Sequence, residues 1–363
     1  MILKNNKLKV GISVGDPNGI GVEVILKTFQ KKEILEFFTP IIFASTKLLS
    51  YQKNIFNINN IYFQGIFKPE EAIPGKINVV NLWKDNVSIE FGKPTKEGMN
   101  MARTSLIAAV EALENNLIDV LVTCPINKEA IQSSDFQFPG HTEYLEHKLG
   151  GKAIMLLENE DLRIAIATHN IALSEVNKKL SKELIKKQII ALNHTLIQDF
   201  CIEKPKIAVL GLNPHAGDHG FLGKEEQQII EPAIKESFDR GILAFGPYSA
   251  DSFFIPYIYS SFDGILAMYH DQGIIPFKTL AYENGVSYTA GLPFIRTAPN
   301  HGTAYSIAGK GIAHAGSFEK AIFDAIKIYK NRSEYIDLKS NALQKIKIEG
   351  IDSTIDEDLP TED

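Results

Sequence analysis

The chain has 363 residues, 44% hydrophobic and 23% charged, with a single Trp. That is a soluble globular composition with room for two domains of ordinary size. The formal net charge of −6 argues against nucleic acid or an anionic membrane as the main partner. No window approaches the roughly 18 consecutive apolar residues of a membrane span.

The N-terminus, MILKNNKLKVGISVG, runs from a short basic prelude into a strand. It lacks the small-residue cleavage site of a signal peptide. Two cysteines, Cys124 and Cys201, make no disulfide framework and no CxxC. A reducing cytoplasm is the expected setting, and a cysteine-based zinc site is not expected.

Six apolar runs read as strands: 8–15, 40–45, 119–125, 162–169, 206–213 and 263–270. They are nearly continuous in Val, Ile, Leu and Ala, which marks parallel strands buried on both faces by helices. EGMNMARTSLIAAVEALENN reads as a helix with Met101, Leu106, Ala109, Val110 and Leu113 on one face. LSEVNKKLSKELIKKQIIALNHTLIQDF has similar spacing, QKNIFNINN reads as a surface loop, and EGIDSTIDEDLPTED reads as a solvated acidic tail. Strands alternating with helices give an α/β chain.

The strands end on polar residues. The first runs into Gly15-Asp16-Pro17-Asn18 and the third into Cys124-Pro125-Ile126-Asn127-Lys128. The later ones end at His169-Asn170, Asn213-Pro214-His215 and His270-Asp271. Ligands of open α/β sheets sit outside the carboxyl ends of the strands, so three imidazoles are expected along one sheet edge. One such His is ordinarily a satisfied structural residue; three at equivalent positions point to a functional cluster. His169, His215 and His270 would make a catalytic site with positions left open for water or substrate. Imidazole ligands favour zinc, cobalt, nickel or copper over magnesium, and Asp251, Asp271 or Asn213 could orient the rings.

Anion-binding groups accompany them. FPGHTEYLEHKLG puts His141 and Thr142 at a helix start, where free backbone N–H groups accept anions, although Thr142 could be a plain cap. Lys278 follows the His270 strand one loop further on, and GLPFIRTAPNHGTA offers Arg296 in a Pro/Gly-rich loop. GISVGDPNGIG has the spacing G-x-x-x-G-x-G, not the G-x-G-x-x-G of a Rossmann turn. GDHGFLGKEE fails as a P-loop, because Glu225 stands where Ser or Thr is required.

Together, SVGDPNGIGVEV, TCPINKEAI, FPGHTEYLE, GLNPHAGDHGFLGKEE, GPYSADSFF, MYHDQGIIPFK and GLPFIRTAPNHGTAYSIAGKGIAHAGSF resemble the 4-hydroxythreonine-4-phosphate dehydrogenases of vitamin B6 synthesis, over residues 8–330. The first and last motifs are also similar to isopropylmalate and isocitrate dehydrogenases. The resemblance implies two α/β/α domains around a cleft. Residues 1–135 with 295–345 would form one, carrying the nicotinamide-binding segments. Residues 136–294 would form the other, with the metal and substrate site and the contacts of a homodimer, and 346–363 the acidic tail.

It further implies a divalent metal, zinc foremost with magnesium or cobalt as options, on His169, His215 and His270, in a site shared across the dimer. Substrate contacts would fall on His141, Thr142, Lys278, Ser287 and Arg296, and NAD or NADP on Asn300, Gly302 and Thr303. Lys278 is the first candidate for proton handling or oxyanion stabilisation, with Asp251 and Asp271 behind it. The chain departs from the family at Ser287, usually Asn, at Asn300, usually Asp, and in GDHGFLG, more commonly GEGGHMG.

The implied reaction is metal-assisted, NAD(P)-linked oxidation of 4-phosphohydroxy-L-threonine. Its product, 2-amino-3-oxo-4-phosphooxybutanoate, decarboxylates to 3-amino-2-oxopropyl phosphate on the way to pyridoxal 5'-phosphate. The main rival is a paralogue oxidising a four-carbon phosphorylated sugar acid such as 4-phosphothreonate. A zinc hydrolase and a non-catalytic metal scaffold are weaker readings, since the first leaves GTAYSIAGKG without a job and the second has no use for Lys278 and Arg296.

Overall fold

The computed structural model describes residues 7–84, 88–127, 138, 140–281, 283–340 and 342. The acidic tail and the KEAI end of TCPINKEAI lie outside the described residues.

The chain is α/β. Strands β1 (Lys9–Ser13), β2 (Thr39–Ala44), β3 (Phe63–Ile66) and β4 (Ile77–Asn81) come first. Then follow β5 (Val120–Thr123), β6 (Ile154–Glu158), β7 (Arg163–Thr168) and β8 (Lys206–Leu210). The last four are β9 (Leu243–Tyr248), β10 (Gly264–Tyr269), β11 (Val286–Ala290) and β12 (Arg296–Pro299). The six apolar runs of the sequence are β1, β2, β5, β7, β8 and β10, and β2 is buried along its whole length.

Helices α1 (Gly21–Thr28), α2 (Thr46–Ile55), α3 (Lys96–Glu114) and α4 (His141–Leu149) lie in the first part of the chain. They are followed by α5 (Leu173–Lys179), α6 (Lys182–Phe200), α7 (Glu231–Phe238) and the single turns α8 (Ala250–Phe253) and α9 (Pro256–Tyr259). Helices α10 (His270–Leu280) and α11 (Gly316–Ser340) complete the set.

Side-chain caps fix several starts. Thr95 accepts from the Gly98 N–H ahead of α3, and Ser45 from Leu48 ahead of α2. Ser181 accepts from Leu184, so the long helical stretch of residues 173–200 divides into α5 and α6. QKNIFNINN is only partly a loop. Gln52 lies in α2, fully buried, and its side-chain amide donates to the Pro17 carbonyl.

All strands share one sheet, in the order β3-β4-β2-β1-β5-β12-β11-β6-β7-β10-β8-β9. The outer pairings are parallel, as expected. The three central ones, β12–β11, β11–β6 and β6–β7, are antiparallel. An odd number of reversals means that β7, β10 and β8 run opposite to β1, β2 and β5. Adjacent strands rotate by about 20–25°, so the twist accumulated across the central strands offsets part of that reversal.

Helix α3 packs Leu106, Ala109, Val110 and Leu113 into a cluster with Ile41, Phe43 and Leu121. Helix α10 packs Ile274 and Phe277 with Ile164, Ile166, Ile265 and Ala267. A Cβ at Gly273 would stand 3.1 Å from both Ala267 and Ile164, so the missing side chain lets α10 lie close on β7 and β10.

Candidate active site

The polar finish of β10 has two explanations. Gln272 is buried and stitches strands together: its Oε1 accepts from Met268 N at 2.6 Å, and its Nε2 donates to the Gly211 carbonyl at 2.6 Å. Thr168 adds a hydroxyl bond to the Met268 carbonyl at 2.6 Å. His270 and Asp271 face solvent instead, as the first residues of α10.

The three expected imidazoles follow adjacent strands, β7, β10 and β8. Tyr269 pairs with Thr168, so His270 and His169 leave the sheet side by side. His270 Nδ1 lies 2.6 Å from Asp271 Oδ1, which makes Asp271 the ring-orienting partner. His169 Nε2 stands 3.5 Å from Glu143 Oε1. That contact, with a bond from Asn170, holds the Glu143 carboxyl down at about 2. His215 sits exposed in a turn of unusual hand after β8.

Asp251 lies near His215. Its carboxyl is held below the usual range chiefly by the Ser249 hydroxyl, with His215 a smaller contributor. Among the described residues the Asn213 side chain donates to Glu225 and Glu226 and not to an imidazole. The donor set suits a borderline metal by its chemistry, and His169 Nδ1 is buried with no hydrogen bond among the described residues. No three His, Cys, Asp or Glu side chains of the described residues are close enough together to hold one ion. The histidines are a triad by strand order, not by distance.

A cavity of about 250 Å³ gathers most of the other candidates. His141, Thr142, Lys278, Ser287, Arg296, Asn300 and Gly302 line it, with His270 at one wall. Thr123 to Ile126, which follow β5, line it too, so carboxyl ends of both strand senses reach one hollow. Thr303, His169, His215, Asp251 and Asp271 are outside the lining.

Two placements differ from the sequence reading. Lys278 is not in a following loop but on α10, which also brings His270 and Ile274 to the cavity at helical spacing of four. Arg296 is not in a loop but opens β12, in the middle of the sheet. Its Nε and one terminal nitrogen donate to the Thr123 hydroxyl, and the other donates to Thr289 at 2.9 Å. Burial lowers this guanidinium to about 10. No carboxylate of the described residues forms an ion pair with it; its hydrogen bonds among them go to neutral hydroxyls, and the charge of Glu143 offsets only part of the burial. Such a cation is costly unless an anion joins it.

The expected cofactor loop crosses the cavity rim. Asn300 N donates to Ser317 Oγ at 2.9 Å, and the Thr303 carbonyl accepts from Ile20 N at 3.1 Å. Sequence reasoning did not single out Glu143, Glu226, Tyr305 or His301, and took Gln272 only as part of the polar finish of the β10 run. His301 lines the cavity with its imidazole pushed down, first by burial and then by Lys278. Each of these roles depends on tertiary neighbours that no spacing rule reveals; only the position of Glu143, two residues after His141, was a usable clue.

The hollow of this α/β protein brings together a buried cation, a lysine and imidazoles, groups whose charge suits a small anion. Residues 36–325 match the family model described as pyridoxal phosphate biosynthetic protein PdxA, and the chain belongs to that family. A Bacteroides thetaiotaomicron protein named 4-hydroxythreonine-4-phosphate dehydrogenase is 48% identical over 365 residues, covering 98% of this chain and 100% of that one. The crystal structure of 4-hydroxythreonine-4-phosphate dehydrogenase from Klebsiella pneumoniae superposes with a TM-score of 0.75 at 31% identity, covering 90% of this chain and 99% of that one. An Oceanobacillus iheyensis protein, provisionally named a D-threonate 4-phosphate dehydrogenase, is 36% identical over 324 residues, covering 88% of this chain and 97% of that one. Among the described residues no helix is long and apolar enough to cross a membrane.

Proposed function

We propose that this chain oxidises the secondary alcohol of 4-phosphohydroxy-L-threonine, with NAD or NADP as hydride acceptor and a divalent metal, zinc foremost, as helper. The product would be 2-amino-3-oxo-4-phosphooxybutanoate, which loses CO₂ to give 3-amino-2-oxopropyl phosphate for pyridoxal 5'-phosphate synthesis. The observation that carries the reading is the buried Arg296 guanidinium, unpaired by any described carboxylate, in a cavity wall shared with Lys278.

Arg296 and the N-terminus of α4, at His141 and Thr142, hold the anionic end of the substrate. Fixing that remote charge positions the reacting carbon. Lys278 takes or steadies the proton leaving the hydroxyl, with Asp271 and Asp251 as reserve groups. His169, His215 and His270 would hold the metal, and Asn300, Gly302 and Thr303 the cofactor. When bound, the metal lowers the pKa of the substrate hydroxyl and the nicotinamide accepts the hydride. Ser287 contributes a hydroxyl to the cavity. The division into residues 1–135 with 295–345 and residues 136–294, and a homodimer sharing the metal site, belong to the same proposal.

A second reading is oxidation of D-threonate 4-phosphate, favoured by the Oceanobacillus relative and by Ser287, where the family usually has Asn. Both readings are tested by NADH formation with each substrate, before and after chelation. Chelator-sensitive turnover of 4-phosphohydroxy-L-threonine, lost in His270→Ala, supports the first. Turnover of D-threonate 4-phosphate alone supports the second. Silence with both in folded, metal-loaded protein refutes the dehydrogenase assignment.

A further inference from the structure

The turn that carries His215 is left-handed throughout. From His215 to His219 the φ angles are 55°, 51°, 81°, 43° and 54°. Only Gly217 in that run tolerates such a backbone without a steric cost. A run of this kind persists only where its surroundings over-determine it.

Glu226 supplies that constraint. It is 1% exposed, at the start of the helical turn Glu226–Ile230. Its Oε1 accepts from Leu212 N and Asn213 N, both at 2.8 Å, and its Oε2 from Asn213 Nδ2 at 3.0 Å. Gly217, in the middle of the turn, lies directly against the same carboxylate: a Cβ there would stand 2.5 Å from Oε2. One buried carboxylate therefore satisfies the donors at the entrance of the turn and seats its centre. Glu226 is outside the cavity lining, and the mechanism above gives it no part.

We propose that Glu226 is the positioning residue for His215, templating the left-handed turn that presents this imidazole and so setting metal affinity without touching the metal. This rests on the reading of His215 as a ligand. Partners behind metal ligands typically govern affinity by 10–100-fold.

The test is zinc affinity of the full-length chain, measured by competition with a chromogenic chelator, alongside thermal melting and far-UV circular dichroism. Glu226→Ala is expected to weaken zinc about 10–100-fold, with Glu226→Gln intermediate because its amide oxygen still accepts backbone donors. Gly217→Ala keeps the carboxylate but drives a methyl into it, and is expected to weaken zinc as well; it serves if Glu226→Ala does not fold. His215→Ala and His270→Ala are the controls. Wild-type zinc affinity in folded Glu226 and Gly217 variants, with affinity lost in both His variants, would overturn the proposal and leave the metal reading standing. Undiminished affinity in the His variants would overturn both.

Discussion

The Tyr305 hydroxyl donates to the Asp16 carboxylate, clasping together two loops 289 positions apart in the chain. Asp16 is fully buried and also accepts from Asn18 N at 2.9 Å. Burial pushes the Asp16 carboxyl up, and pushes the Tyr305 hydroxyl up as well. With the bond from Ile20 N to the Thr303 carbonyl, the clasp fixes the proposed cofactor loop to the end of β1.

Tyr305→Phe removes the donor and leaves a buried carboxyl short of a partner, at a cost of about 1–3 kcal/mol. The KM for the nicotinamide cofactor is expected to rise about tenfold, the equivalent of roughly 1.4 kcal/mol. The KM for the phosphorylated substrate should stay near its wild-type value. Steady-state kinetics with each component varied reads the split, and equal rises in both would count against a role confined to the loop.

Arg296→Lys keeps the charge and loses the fork that spans Thr123 and Thr289. Losing charge-assisted hydrogen bonds at this site should lower kcat/KM by at least about tenfold, and Arg296→Ala by about a hundredfold or more. A larger fall for phosphorylated substrate than for its dephosphorylated analogue would tie the guanidinium to the phosphate.

Glu158 and Asp324 make a buried carboxyl pair between β6 and α11. Burial, then the hydrogen bond and negative charge of Asp324, raise Glu158 well above its ordinary 4.5. A carboxyl raised in the folded state keeps its proton while the unfolded chain loses it. Its contribution is thus fully present below that ordinary value, which the unfolded chain keeps, and lost as pH rises through the folded one. Glu158→Gln should therefore raise the melting temperature at neutral pH and leave it unchanged near pH 4. Melting curves across that range decide the matter; stabilisation equal at both ends would contradict it.

Arg332 crosses from α11 to Asp199 on α6, with bonds of 2.8 and 3.1 Å, and also donates to the Tyr288 hydroxyl at 2.8 Å. Asp199 is buried, and Tyr288 fully so. Arg332→Met strands that carboxylate in the core and should destabilise the fold by about 3–5 kcal/mol. Chemical denaturation measures it. A second change, Asp199→Asn, should recover part of the loss, because the uncompensated charge is gone.

By itself the sequence determined the α/β class, six strands, helix α3, the helix start at His141 and the family. Each rests on a local signal: continuous apolar runs, helical spacing, or a motif read in chain order. The other six strands were not legible. The edge strands β3 and β9 are only partly buried, which weakens the apolar pattern. Strand β12 is hidden in RTAP, where Arg296, Thr297 and Pro299 resemble a loop. Its strand character comes from pairing with β5 and β11, whose hydroxyl groups at Thr123 and Thr289 take up the guanidinium.

Only the tertiary structure decided that the sheet reverses sense in the middle. Two of the three reversals, β6–β7 and β11–β12, join strands adjacent in the chain, but the third pairs β11 with β6 across more than a hundred residues, and no local pattern encodes that pairing. The same long-range packing moved Arg296 from a loop into the core of the sheet and gave His215 its left-handed turn. Three histidines at strand ends can be read from the sequence alone. The carboxylates that seat two of them, Glu143 and Glu226, become meaningful only once folding makes them neighbours.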